Sequence, residues 1–284
     1  MAPLDRTLRL SRFAARVAEA RPEVVRELEQ RGAAPFGRQE MRAALADASD
    51  ADIGPRLRRL RECVMFTLAH RDLNGLASLD EVLATMTALA EACIGAAVVH
   101  AHRASAARFG EPCDVEGRPQ SLIVVALGKL GGEELNVSSD IDLVFLYQED
   151  GDTYGERPVS HHEFFAHMGR NLIALLAEIT ADGQAFRVDM RLRPFGDGPI
   201  AASLGALEDY FVTHARPWER YAWLKARVIS GASEGVMALV EPFVYRRYLD
   251  YGLLAALREL HTRIFETAIQ RRKADDIKIG RAHV

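Results

Sequence analysis

A chain of 284 residues is long enough for one large or two ordinary domains, and 49% apolar with 27% charged residues is the make-up of an ordinary globular protein. A net charge of −4 gives no electrostatic reason to expect nucleic acid or an anionic membrane as a general partner. No run of ~20 apolar residues predicts a transmembrane helix, and the first ten residues, MAPLDRTLRL, have no apolar core after their charges, so no secretory leader is expected. Cys63, Cys93 and Cys113 are too few and too far apart for a disulfide framework or a zinc cluster. Cys93 falls on an apolar helical face, which predicts a small buried hydrophobe rather than a reactive thiol. The expected location is the cytoplasm.

Residues 1–118 read as helices. Leu10, Phe13, Val17, Val24 and Leu28 sketch an apolar stripe interrupted at Pro22, and Leu57, Leu60, Val64 and Leu68 repeat at helical spacing. The clearest pattern runs from Leu79 through Val82, Leu83, Met86, Leu89, Ala90, Cys93 and Ile94 to Ala97, with a capping box from Ser78 and Glu81. The basic run Arg56, Arg58, Arg59, Arg61 has acids nearby and no interleaved aromatics, so a solvated helix face is expected in preference to a phosphate-binding patch. Gly110, Pro112, Gly117 and Pro119 mark a boundary.

Beyond that boundary the pattern becomes extended. Leu122–Leu127 is a continuous apolar run, as in a buried strand, and Asp140–Tyr147 is a second strand with Ile141, Leu143, Phe145 and Tyr147 on one face. A helix follows, capped by Ser160 and Glu163, with Phe164, Phe165, Met168, Leu172, Leu175, Leu176 and Ile179 on its apolar side and Asp182–Gly183 at its end. Phe186–Arg193 alternates: Phe186, Val188, Met190 and Leu192 face one way, Arg187, Asp189, Arg191 and Arg193 the other. After the loop Pro194–Pro199, helical patterns are expected from about Leu204 to about Arg272, including one around Trp218 that carries Glu219, Lys225 and Arg227.

The chemistry concentrates between the two strands. Positions i and i+2 of a strand share a face, roughly 6–7 Å apart, so Asp140 and Asp142 project together. Such a pair suits one or two Mg2+ ions bound with substrate phosphates; a merely solvated acid pair is the bland alternative. Gly131 and Gly132 offer bare backbone to a phosphate, and Ser138 and Ser139 offer hydroxyls. Asp189 supplies a third carboxylate on a strand face that also carries Arg191 and Arg193, for which charge balance with Asp189 and phosphate binding are the two open readings.

Gly-Gly, then Asp-x-Asp eight residues on, then a distal strand Asp resembles the nucleotidyltransferase superfamily of the DNA polymerase β type. ALGKLGGEELNVSSDIDLVFLY, FRVDMRLRPFG and WERYAWLKARVI resemble more closely the N-terminal, adenylyl-removing half of the bifunctional glutamine synthetase adenylyltransferase/adenylyl-removing enzyme family. The resemblance is strong across Ser121–Gly231. It implies an α+β fold, a small mixed β-sheet with helices, flanked by an N-terminal all-helical region and C-terminal helices. The expected organisation is a helical region over 1–118, a catalytic domain over 119–232 and the start of a helical domain over 233–278. It also implies Mg2+-dependent phosphorolysis of AMP-tyrosine on adenylylated glutamine synthetase, giving ADP. Asp140, Asp142 and Asp189 would hold the metal and Gly131, Gly132 and Ser139 would cradle phosphate, with ADP or ATP and phosphate as small partners and a PII-type signalling protein as a candidate regulator. Two departures stand out. The loop Gly196-Asp197-Gly198-Pro199-Ile200 is one residue short of the family's GDSGPL. The last six residues, IGRAHV, resemble a translated sequencing adapter, which predicts a non-native tail over 279–284 on a truncated gene fragment. Two other readings stay open: a nucleotidyltransferase of the same fold acting on another protein or small molecule, and a catalytically silent nucleotide- or regulator-binding module.

Overall fold

The structure, a computed structural model, describes residues 4–245 together with Arg258, Thr262 and Glu266. The expectations for 246–278 and for the tail 279–284 lie outside the described residues, apart from those three.

The N-terminal part is helical, as its periodicity predicts. Short helices α1 (Leu4–Leu10), α2 (Arg12–Ala20), α3 (Pro22–Gln30) and α4 (Arg38–Ala46) lead to two long ones, α5 (Ile53–Leu73) and α6 (Leu79–Phe109). Ser11 separates α1 from α2 and caps the latter, its hydroxyl accepting from the Ala14 backbone N–H; Pro22 opens α3. The Ser78 hydroxyl likewise accepts from the Glu81 N–H at the start of α6. By length and composition alone α6 is long and apolar enough to cross a membrane, which the sequence reading did not anticipate. In the fold it is a core helix, packed against α8, α4 and α5. Cys93 is wholly buried on it, and burial pushes its thiol up to about 12, as expected of an inert cysteine.

The remaining elements in chain order are β1 (Glu111–Pro112), β2 (Ile123–Ala126), α7 (Gly128–Gly131), β3 (Ile141–Tyr147), β4 (Thr153–Tyr154), α8 (His161–Ala177), β5 (Val188–Asp189), β6 (Ala201–Ser203), α9 (Leu204–Thr213), α10 (Pro217–Trp223), β7 (Arg227–Ser230) and α11 (Glu234–Val244). The main sheet runs β5-β3-β2-β7, with β6 also on β3. β2 pairs antiparallel with β3 and β7, whereas β5 and β6 lie parallel to β3, at its start and its end respectively. The class is the α+β mixture expected.

Both faces of the sheet are covered, which explains the unbroken apolar runs in β2 and β3. Val124, Ala126, Leu143, Phe145 and Tyr147 join the large core built on α5, α6 and α8. Ile123, Val125, Val144 and Leu146 face a second core with Leu207, Trp223, Val236, Val240 and Phe243.

Four expectations need correction. The strand over Phe186–Arg193 shrinks to Val188–Asp189, because the Asp189 side chain accepts from the Arg191 backbone N–H, 2.9 Å, and turns the chain. Leu192 consequently packs into the second core, while Phe186, Val188 and Met190 stay with the first. Arg227 lies in a strand, not a helix, and α10 ends at Trp223 before Lys225. α8 ends at Ala177, leaving Ile179 exposed. Finally, Arg58 is only 8% exposed rather than on a solvated face.

Candidate active site

Parallel pairing of β3 with β5 sets Asp142 directly opposite Asp189, and Asp140 lies just ahead of β3. Period two puts Asp142 on the face that carries Val144 and Leu146, at the start of the strand. Asp189, distant in the sequence, is thereby brought beside the Asp140–Asp142 pair.

Their charges are balanced unequally. Asp189 receives the Arg191 backbone N–H, Nε at 2.9 and 3.0 Å, and Nη2 at 2.5 Å, and that arginine holds its carboxyl below the usual range. Arg187 Nη2 sits 2.5 Å from Asp140 Oδ1 and donates to the Ser138 carbonyl at 2.7 Å. Asp142 is half-buried, and its carboxylate has no hydrogen bond or ion pair among the described residues. Burial, then repulsion from Asp189 and Asp140, pushes its carboxyl above the ordinary value; Arg191 and Lys129 oppose the shift. The middle acid thus lacks a direct ion-pair partner among the described residues. All-oxygen donors with uncompensated negative charge suit a hard divalent cation such as Mg2+. As the side chains stand, however, no group of three or more Asp, Glu, His or Cys is close enough to hold a metal among the described residues, since Arg187 and Arg191 occupy the outer two.

The glycine turn frames this spot differently from expectation. Between β2 and the loop lies α7, and its first residue, Gly128, adopts φ +54° with a would-be Cβ 2.4 Å from Asp142 Oδ2. A side chain there would be strained at this φ and would push the carboxylate aside. Gly131 is buried, and a Cβ there would meet the carbonyls of Lys225 at 2.1 Å and Ala126 at 2.6 Å, so its lack of a side chain serves backbone packing. Gly132 is exposed, against Glu134 and Lys225. Arg227 from β7 donates to the carbonyls of Gly131 and Leu130, at 3.1 and 3.0 Å, and its Nη2 pairs with Glu91 at 2.7 Å, tying the turn to α6.

The serines are held in a side-chain-closed loop. Asn136 Oδ1 accepts from the Ser138 N–H at 3.2 Å and from the hydroxyls of Ser138 at 3.4 Å and Ser139 at 2.7 Å. Arg191 is exposed beside Asp189. Arg193 points back, Nη1 donating to the Met190 carbonyl at 2.9 Å, with its Nε buried and unpartnered. Sequence reasoning missed Gly128, Lys129 and Arg187 as neighbours of the acids. The first glycine of GKLGG was the available signal for Gly128; Arg187 was visible on the polar face of the alternating segment, but its partner was not.

The chain matches the family model described as glutamate-ammonia ligase adenylyltransferase over residues 1–240. The chain belongs to this family. Among curated members named bifunctional glutamine synthetase adenylyltransferase/adenylyl-removing enzyme, it is 49% identical to that of Chromobacterium violaceum over 98% of this chain and 32% of the relative. It is 49% identical to that of Nitrosomonas eutropha (95% and 30%) and 45% identical to that of Burkholderia mallei (98% and 33%). The chain thus spans about a third of the length of these glutamate-ammonia ligase adenylyltransferases.

Proposed function

We propose that this chain is the adenylyl-removing half of a bifunctional glutamine synthetase adenylyltransferase/adenylyl-removing enzyme, and that it strips AMP from adenylylated glutamine synthetase by phosphorolysis. An oxygen of inorganic phosphate attacks the phosphorus of the AMP-tyrosine diester. The phosphorus–tyrosine oxygen bond breaks, its electron pair leaves on the phenolate, and the proton of the attacking phosphate ends there. The products are ADP and free tyrosine.

The observation that carries this reading is Asp142, without a direct ion-pair partner among the described residues, opposite Asp189, beside Asp140 and under Gly128. Asp140, Asp142 and Asp189 would hold Mg2+, which supplies charge neutralisation on the reacting phosphates when bound. Arg187 and Arg191 would then be released from the outer acids; Arg191, exposed, and Arg193 bind the incoming phosphate, with the Ser138–Ser139 loop and the Gly131–Gly132 backbone cradling oxygens. The wording NVSSDIDL, RPFG and WERYAWLKAR and the names of the relatives support the choice of substrate. On this reading a PII-type signalling protein is the expected regulatory partner. Incubation with adenylylated glutamine synthetase, Mg2+ and phosphate should release ADP; failure to do so, with nucleotide released from another adenylylated acceptor, would transfer the site to a different substrate.

The pairs Arg187–Asp140 and Arg191–Asp189 favour one other reading, a silent nucleotide- or regulator-binding module in which arginines permanently neutralise the acids. Nucleotide binding without Mg2+-dependent turnover on any adenylylated acceptor would select it.

A further inference from the structure

Away from the three acids, α2, α5 and the turn Thr180–Gln184 enclose a cleft of about 400 Å3. Four arginines line it, Arg16, Arg21, Arg58 and Arg61, against two carboxylates, Glu62 and Asp182. Arg21 engages both acids, its Nε 3.1 Å from Glu62 Oε2 and its Nη2 on Asp182 Oδ1. Arg58 and Arg61 have no carboxylate partner among the described residues. Arg58 is 8% exposed, and its Nε is buried with no hydrogen-bond partner. Arg61 Nε is buried and unpartnered as well, and its guanidinium lies 5.4 Å from the centre of the Phe186 ring.

A guanidinium does not shed its charge, and a buried charge without a counter-ion is costly. Arg58 and Arg61 are three residues apart on α5 and so share a face, presenting two donor forks to the same space. Two such forks match an oxyanion that accepts several hydrogen bonds and carries up to two negative charges, as a phosphate monoester does near neutral pH. The volume is that of a small-molecule site. We propose that this cleft is an effector site for a phosphate-bearing small molecule, its phosphate clamped between Arg58 and Arg61. The cleft reaches the acids through few residues: Phe186 lies against Arg61, and the next residue, Arg187, holds Asp140. Occupancy therefore braces the segment from Thr180 to Asp189. The site stands independently of the phosphorolytic reading.

The test is thermal unfolding of the full chain, titrated with inorganic phosphate in the absence of Mg2+. Phosphate should raise the wild-type Tm in a saturable manner, while chloride at matched ionic strength should not. The rise should be lost in Arg58→Gln/Arg61→Gln and in the milder Arg61→Gln, each folded by circular dichroism and at least as stable as wild type in phosphate-free buffer. It should persist in Arg191→Ala, which removes a phosphate contact of the proposed active site and so separates the cleft from the acids. A response equal in the wild type and Arg61→Gln, one lost only in Arg191→Ala, one reproduced by chloride, or no response in the wild type would overturn the proposal.

Discussion

Asp142 is a side chain held at a cost to the fold. Its carboxyl is raised by burial and by Asp189 and Asp140. A group whose folded pKa lies above its unfolded value contributes stability below the unfolded value, and loses that contribution as pH rises through the folded one. Ionised Asp142 therefore weakens the fold near neutrality. Asp142→Asn should raise Tm at pH 7 by about 2 °C or more, the effect of ~1 kcal/mol in a domain of this size, with the gain shrinking toward pH 4. The same change should reduce turnover by about a hundredfold or more if the residue binds the metal. Asp189 has the opposite sign: Arg191 depresses its carboxyl, so its stabilisation is present above the unfolded value and fades as pH falls through the folded one. Because Arg191 is solvent-exposed, Arg191→Ala should leave the urea midpoint almost unchanged.

At the scale of elements, the turn after β2 is built by glycines with separate tasks. Gly128→Ala introduces a methyl 2.4 Å from Asp142 Oδ2 at φ +54°, so it should displace the carboxylate and abolish Mg2+-dependent activity. Gly131→Ala meets two backbone carbonyls that cannot swing away, and should destabilise by about 2 kcal/mol or more in denaturant titration. These elements were unequally legible in the sequence. β2, β3, α6 and α8 were readable because their apolar periods match their burial. β5 was overread: the alternation of Phe186–Arg193 is real as chemistry, but Asp189 bonds the Arg191 N–H and ends the strand, an interaction that no period encodes. β7 was missed because WERYAWLKARVI has a helical composition, and its strand character comes from pairing with β2 and from the Arg227–Glu91 contact. Asp140 and Asp142 stood out by their i, i+2 spacing and Asp189 by the alternation of its segment, but the arginines that neutralise two of them depend on tertiary approach. Arg58 was misjudged because a run of arginines looks solvated until α2 packs over it.

In the whole molecule one sheet serves two cores. The large core ties the N-terminal helices to the face carrying Leu143 and Phe145, and the smaller one is centred on Trp223, whose ring meets Phe211 edge-on at 5.1 Å. Trp223→Ala should cost about 3–5 kcal/mol, and should loosen the site because Val144 and Leu146 share that core with the face bearing Asp142. A combined fall in Tm and in phosphate-dependent turnover checks this. The N-terminal helices are more than a lead-in, since α5 presents Arg61 to Phe186 and so reaches the strand that carries Asp189.

The central claim is that these acids serve a phosphorolysis. Its most direct measurement supplies isotopically labelled inorganic phosphate, Mg2+ and adenylylated glutamine synthetase, and follows the label. The account predicts label in the β-phosphate of ADP, stoichiometric with freed tyrosine and absent in Asp142→Asn. Unlabelled AMP as the product, or labelled ADP formed equally well by Asp142→Asn, would contradict it.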